Sequence, residues 1–161
     1  MRPNIFSPQI DQTRRELDGF HADRASVGRA AGAERLGISL WILPAGQAAY
    51  PYHAHLAEEE ALVVLHGRPT LRTPEGLSEL ETGDVVSFPR GEQGAHQVLN
   101  DTEEEVRFLA ISTSGEPDIV LYPDTGKIGA AQRLAGAQFG GIHHYFRIAD
   151  EVGYYDGMEP R

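Results

Sequence analysis

The strongest constraint on this chain is the texture of residues 37–113, a succession of short apolar runs broken by turn residues. The stretch "GISLWILPAG" alternates Ile38, Leu40 and Ile42 with Ser39, Trp41 and Leu43, then stops at Pro44, Ala45 and Gly46. Alternation with period two places successive side chains on opposite faces of a strand, and proline with glycine ends it. "ALVVLHG" is a second β-branched run closed by glycine, and "PTLRT" and "LSEL" flank a turn signal at Pro74, Glu75 and Gly76, as in a hairpin. "DVVSFP", "AHQVLN" and "VRFLAIST" continue the series. About seven short strands at intervals near 8–12 residues specify an all-β sandwich or barrel. No repeat of solenoid period interrupts them.

The flanks read differently. Residues 1–35 are polar and irregular, with helical hints at 12–17 and a candidate helix N-cap at Ser26. After Ser114 the chain gives one more strand at 119–122, a glycine-rich stretch, and a tail carrying Tyr145, Phe146, Tyr154 and Tyr155. So many rings need an apolar surface to cover, either the protein's own barrel or a partner subunit, and a closed twofold homodimer is the expected assembly. At 161 residues the expectation is one domain, 1–161, with a barrel core at about 36–113 and extensions at 1–35 and 114–161.

Composition excludes several functions. Fourteen basic against 24 acidic residues give a net charge of −10, which disfavours nucleic acid or an anionic membrane surface as partner, since phosphate binding needs a basic face. The absence of cysteine rules out disulfides, iron–sulfur clusters and thiolate zinc sites, so any metal must take nitrogen and oxygen ligands. The N-terminus lacks the apolar stretch of a signal peptide and no run approaches the ~20 residues that span a bilayer, so a soluble cytoplasmic protein is expected.

One segment carries chemistry: "PYHAHLAEEEALVVLHG", residues 51–67. His53 and His55 are two apart, so on a strand both imidazoles project from one face, where two ligands of one ion must lie. Glu60 opens the next apolar run and shares a face with Leu62 and Val64, a costly place for a carboxylate unless a cation pairs with it. A further ligand must come from elsewhere, and His96 begins another strand after a proline and glycine turn. Three neutral imidazoles and a carboxylate suit a divalent ion such as zinc, manganese, iron, nickel or copper. Glu58 and Glu59 read as a solvated acidic rim, His21, His66, His143 and His144 as structural or solvated, and Trp41 and Tyr52 as core. Lys127, Arg68, Arg72 and Arg90 read as surface charges, of which one or two could line the barrel mouth and hold an anion.

At these residues the sequence resembles the cupin superfamily. The first cupin motif is matched by Gly46, His53, His55, Glu60 and Gly67, and the second by Gly83, Pro89, Gly91, His96 and Asn100, with four residues rather than two between Gly91 and His96. The resemblance covers residues 36–113, about half of the chain. It implies a double-stranded β-helix, a jelly-roll-like barrel, with a metal held inside by His53, His55, Glu60 and His96. "RPTLRTPEG", "FPRGEQGAHQVLN" and "YPDTGKIG" are similar to a group of small bacterial single-cupin proteins provisionally labelled sugar-phosphate isomerases.

Two function classes follow as expectations. The first is a metal-dependent enzyme on a small oxygenated substrate, with aldose–ketose isomerisation of a sugar phosphate as its specific form and an iron-dependent dioxygenase as the alternative. The second is a non-catalytic module that binds a metal or small molecule in the barrel mouth.

Overall fold

Leucine and tryptophan at successive inward positions make the longest strand of the N-terminal half the centre of the protein. In the computed structural model, which describes residues 2–15, 17–115, 117–132 and 141–159, β1 (Gln12–Arg14), β2 (Ala22–Ala25) and a five-residue helix α1 (Val27–Ala31) lead into this strand, β3 (Leu36–Leu43). Then follow β4 (Ala54–His55), β5 (Glu60–His66), β6 (Thr70–Thr73), β7 (Gly76–Glu79), β8 (Val85–Phe88) and β9 (Gln97–Leu99). β10 (Val106–Thr113), β11 (Asp118–Tyr122), β12 (Lys127–Ala131) and β13 (His143–Arg147) complete the order. The expected all-β class is what is found.

The strands form a six-stranded sheet ordered β1-β2-β3-β10-β5-β8, a three-stranded sheet β7-β6-β9 and a four-stranded sheet β13-β12-β11-β4. β3 and β10 pair antiparallel from Val106 opposite Leu43 to Thr113 opposite Leu36, which sets Phe108 beside Trp41 with ring centroids 6.2 Å apart. β10 then pairs with β5, with a register shift between Arg107 and Phe108. Trp41, Leu43, Leu62, Val64, Phe88 and Phe108 from the six-stranded sheet pack in one core with Leu71 and Val98 from the three-stranded sheet, so the two sheets close face to face as a barrel. Full burial of a side chain such as Phe108 contributes about 1.5–3 kcal/mol. Trp41 and Tyr52 are buried, as expected of core.

Two details follow from the motif residues. Asn100 is fully buried, and its Nδ2 donates to the carbonyls of Leu43 and Glu104 at 3.0 and 2.7 Å, tying the end of β3 to the turn before β10. Gly67 ends β5 with φ of 81°, and a Cβ there would lie 2.9 Å from the carbonyl oxygen of Glu105, so glycine alone fits.

The N-terminal flank corrects one expectation. Residues 12–14 are strand and not helix: they pair with β2, Gln12 opposite Arg24, and Thr13 Oγ1 donates to Asp23 at 2.8 Å. The segment has no apolar face at helical spacing to bury, so pairing with β2 is what satisfies its backbone. α1 does begin after Ser26. At the other end, β13 pairs through its backbone with β12 and Tyr145 meets Tyr122 edge-on at 5.9 Å, yet every residue in 141–159 is exposed, so the protein's own barrel leaves the aromatic tail largely uncovered. The glycine-rich stretch lies, over 133–140, outside the described residues. Among the described residues no helix is long and apolar enough to cross a membrane.

Candidate metal centre

His53 and His96 face each other across an isolated antiparallel bridge: His53 N donates to His96 O at 3.2 Å and His96 N to His53 O at 2.8 Å. Their ring centroids are 4.8 Å apart. Glu60, first residue of β5, sits between β8 and β10, opposite Phe88 and Ser112. One ligand atom from each of His53, Glu60 and His96 lies within 4.8 Å of the other two. His55 comes from β4, the two-residue strand held on β11, and its Nε2 lies 3.5 Å from Glu60 Oε2, while His96 Nε2 lies 3.4 Å from the same oxygen. The four residues singled out from the sequence are therefore neighbours, with Glu60 as the common contact of His55 and His96.

The loop before His96, longer than the motif, folds as a single 3-10 turn at Glu92–Gly94. A Cβ on Gly94 would stand 1.8 Å from the carbonyl oxygen of Pro89, so this turn packs backbone against backbone and admits only glycine. It places the Gly94 carbonyl 2.9 Å from His96 Nδ1, and the Pro51 carbonyl lies 2.9 Å from His53 Nδ1. A carbonyl only accepts, so in both rings Nδ1 carries the proton and Nε2 is left with its lone pair. His55 Nδ1 is matched differently: it donates to Asp118 Oδ2 at 2.5 Å. His55 and His96 thus offer Nε2 beside Glu60, and His53, with a ligand atom within 4.8 Å of those of Glu60 and His96, completes a donor set that fits a first-row divalent ion.

The walls are aromatic. Phe88 stacks on the His96 ring at 3.8 Å and 7°, Tyr50 meets His53 and His96 edge-on at 4.9 and 5.6 Å, and Tyr122 stacks on His53 at 6.2 Å. Burial, followed by the neighbouring His96 and His55, holds His53 well below the ordinary histidine range. Burial also lowers His96, against the pull of Glu60. For His55 burial acts downward too, but the hydrogen bond to Asp118 and the charges of Glu60, Asp118 and Glu58 outweigh it and the group is raised. Burial and the Glu60 charge push the Tyr50 hydroxyl well up.

Several site residues were not legible beforehand. Glu58, read as solvated rim, is 2% exposed and lies with His55 and Asp118 in a second group whose ligand atoms fall within 4.8 Å of one another; Glu59 is exposed as expected. Asp118 is 63 residues from His55 and reaches it only because β4 pairs with β11. No local pattern in the sequence announces that pairing. His66, His143 and His144 are exposed. Arg72, expected as a surface charge that could hold an anion, instead clasps Asp124 through two hydrogen bonds of 2.7 and 2.8 Å over the Tyr52 ring, and Arg68 pairs with Glu79.

A family model described as "Cupin domain" matches residues 39–112. A solved protein from Acidithiobacillus ferrooxidans, provisionally named a sugar phosphate isomerase, is 31% identical over 84% of this chain and 81% of its own, with a TM-score of 0.72. A cupin-superfamily sugar phosphate isomerase from Silicibacter pomeroyi is 20% identical, covering 93% of this chain and 94% of its own, with a TM-score of 0.78. A polyketide cyclase from Streptomyces resistomycificus reaches 0.59 at 21% identity, over 73% and 82% of the two chains. The last two, at such identities, speak for the fold alone. No curated protein sequence matches the chain.

Proposed function

The chain belongs to the cupin superfamily, and we propose that it is a metal-dependent enzyme acting on a small oxygenated substrate, with isomerisation of a sugar phosphate as the specific reaction. The observation that supports this reading most is the common treatment of three imidazoles: each spends Nδ1 on an acceptor and so keeps the Nε2 lone pair, and in His55 and His96 that Nε2 lies within 3.5 Å of Glu60. His53, His55, Glu60 and His96 would hold a divalent ion, of which zinc, manganese, iron and nickel all suit the donors. When bound, such an ion supplies Lewis acidity toward a carbonyl or hydroxyl oxygen. The chain's own part is orientation and shielding. The Gly94 and Pro51 carbonyls and Asp118 hold the rings, while Phe88, Tyr50 and Tyr122 exclude water from the carboxylate and imidazoles, strengthening every polar contact made there. The likeness to a protein provisionally named a sugar phosphate isomerase supports the choice of substrate class.

The test is to incubate protein loaded with each of the four metals with a panel of aldose phosphates in D₂O and follow ketose formation and deuterium at C1 of the ketose by NMR. Deuterium incorporation dependent on metal and lost in Glu60→Gln supports the reading. Metal binding without turnover of any member of the panel contradicts the enzymatic part of it.

A homodimer belongs to the same reading. Its support is the exposed strand β13 at the end of the four-stranded sheet among the described residues, together with Ile142, Tyr145, Phe146, Tyr154, Tyr155 and Met158, each more than half exposed. Light scattering at micromolar concentration should return twice the chain mass, and a monomer mass contradicts it.

A further inference from the structure

Asp118 is 4% exposed, and both of its oxygens are committed: Oδ1 accepts from the Ala57 amide at 2.9 Å, and Oδ2 accepts from His55 Nδ1 at 2.5 Å. The backbone repeats this clamp, since Leu56 N donates to Ile119 O at 2.9 Å and His55 lies opposite Val120 in the β4–β11 pair. The grouping of His55, Glu58 and Asp118 within 4.8 Å could be taken for a second metal position. The hydrogen bonds decide against that, because an ion there would have to displace the proton of His55 Nδ1 and break a bond made to an aspartate already fixed by an amide. The cluster is a support for the other side of the ring.

We propose that Asp118 is a positioning residue that fixes the tautomer and orientation of His55, so that Nε2 is presented toward Glu60. The inference rests on the metal-centre reading given under the proposed function. His53 and His96 are each held by the carbonyl of a residue two positions earlier in their own loop, which follows them wherever the loop goes. His55 is held by a side chain from a different strand, and its geometry therefore depends on β11. A carboxylate behind a ligand imidazole also makes the ring a stronger donor, and loss of such a partner typically weakens metal binding about 10–100-fold.

Asp118→Asn separates the roles. Its oxygen can still accept from Ala57, but its amide then points at His55 Nδ1 and favours the Nε2–H tautomer, which has no lone pair to offer at Glu60. Two-bond ¹H–¹⁵N correlation of the histidine rings at alkaline pH, in protein free of metal, should show His55 as Nδ1–H in the wild type and as Nε2–H in Asp118→Asn, with His96 unchanged. Titration with Co²⁺ should show about 10–100-fold weaker binding in the variant and an altered visible absorption of the bound ion. A variant with wild-type Co²⁺ affinity and spectrum overturns the proposal, and so does Nε2–H in wild-type His55, a measurement that needs no variant to fold. If wild-type protein takes up no Co²⁺ while the tautomer switches as described, positioning of the ring stands and the metal-centre reading is what fails.

Discussion

The protein carries two close pairs of histidines on or beside its strands, and the fold treats them in opposite ways. His53 and His55 are separated by one residue, project to the same side, and meet at centroids 4.9 Å apart inside aromatic walls, with both Nδ1 atoms held. His143 and His144 are adjacent on β13, so they point to opposite faces, and each has an exposed ring for company: Tyr145 at 5.3 Å from His143, Phe146 at 6.3 Å from His144. Similar residue types stand beside aromatics in both places. The difference is in the surroundings: His53 has Tyr50, Tyr122 and His96 against its ring and His55 is held by Asp118 of β11, whereas His143 and His144 and the rings beside them are exposed. A donor set is made by what orders the rings, and proximity in sequence supplies only the opportunity.

The comparison can be broken where it predicts most. Phe88 is 5% exposed and stacked on His96, whereas Phe146 beside His144 is 52% exposed. Phe88→Ala should destabilise by about 3–5 kcal/mol, as large-to-small core changes do. Phe146→Ala should change the stability of the dissociated monomer by no more than about 0.5 kcal/mol. Urea denaturation of both variants, at a concentration low enough to dissociate any dimer, checks this, and equal losses would erase the distinction between the two regions.

A smaller effect is expected at two glycines. Gly94 leaves no room for a Cβ against Pro89, whereas a Cβ on Gly153 in the tail would meet nothing within 4 Å. Gly94→Ala should cost about 1–3 kcal/mol by displacing the turn that holds His96, and Gly153→Ala no more than about 0.5 kcal/mol. Thermal melts of the two, read beside the wild type, decide it.

The smallest and sharpest effect is on pH dependence in protein stripped of metal. His53 and His96 have depressed pKa values when folded, chiefly through burial, so they refuse protons that the unfolded chain accepts below about 6.5. Their contribution to stability is present above that value and is lost as pH falls from there toward the folded pKa values. His55 has the opposite sign: burial is outweighed by Asp118, Glu60 and Glu58, its pKa is raised, and its contribution is full below about 6.5 and lost as pH rises through the folded value. Urea midpoints from pH 5 to 9 should therefore show a loss on the acid side that is reduced in His96→Gln and a loss on the alkaline side that is reduced in His55→Gln. The same limb flattening in both variants would contradict the assignment of sign.

Much of the architecture was legible because it is written in local patterns. The alternation at residues 38–43 gave β3, the turn at Pro74 to Gly76 gave the β6–β7 hairpin, and the run after Glu60 gave β5. The group His53, Glu60 and His96 was legible because its spacing matches a known motif. What escaped depends on long-range pairing. β1 has no apolar face and takes its structure from β2. Glu58 sits in an acidic run that looks solvated, yet it is buried beside His55 and Asp118. Asp118 itself gains its role from the pairing of a two-residue strand, which no local pattern announces.

The central claim is tested most directly by the metal content of the protein after identical dialysis of wild type, His96→Ala and His143→Ala, measured by elemental analysis. The account predicts about one equivalent of divalent ion per chain in wild type and in His143→Ala, and loss of most of it in His96→Ala, whose half-buried Glu60 then faces an incomplete set of ligands. A full equivalent retained by His96→Ala, with depletion in His143→Ala, would contradict it.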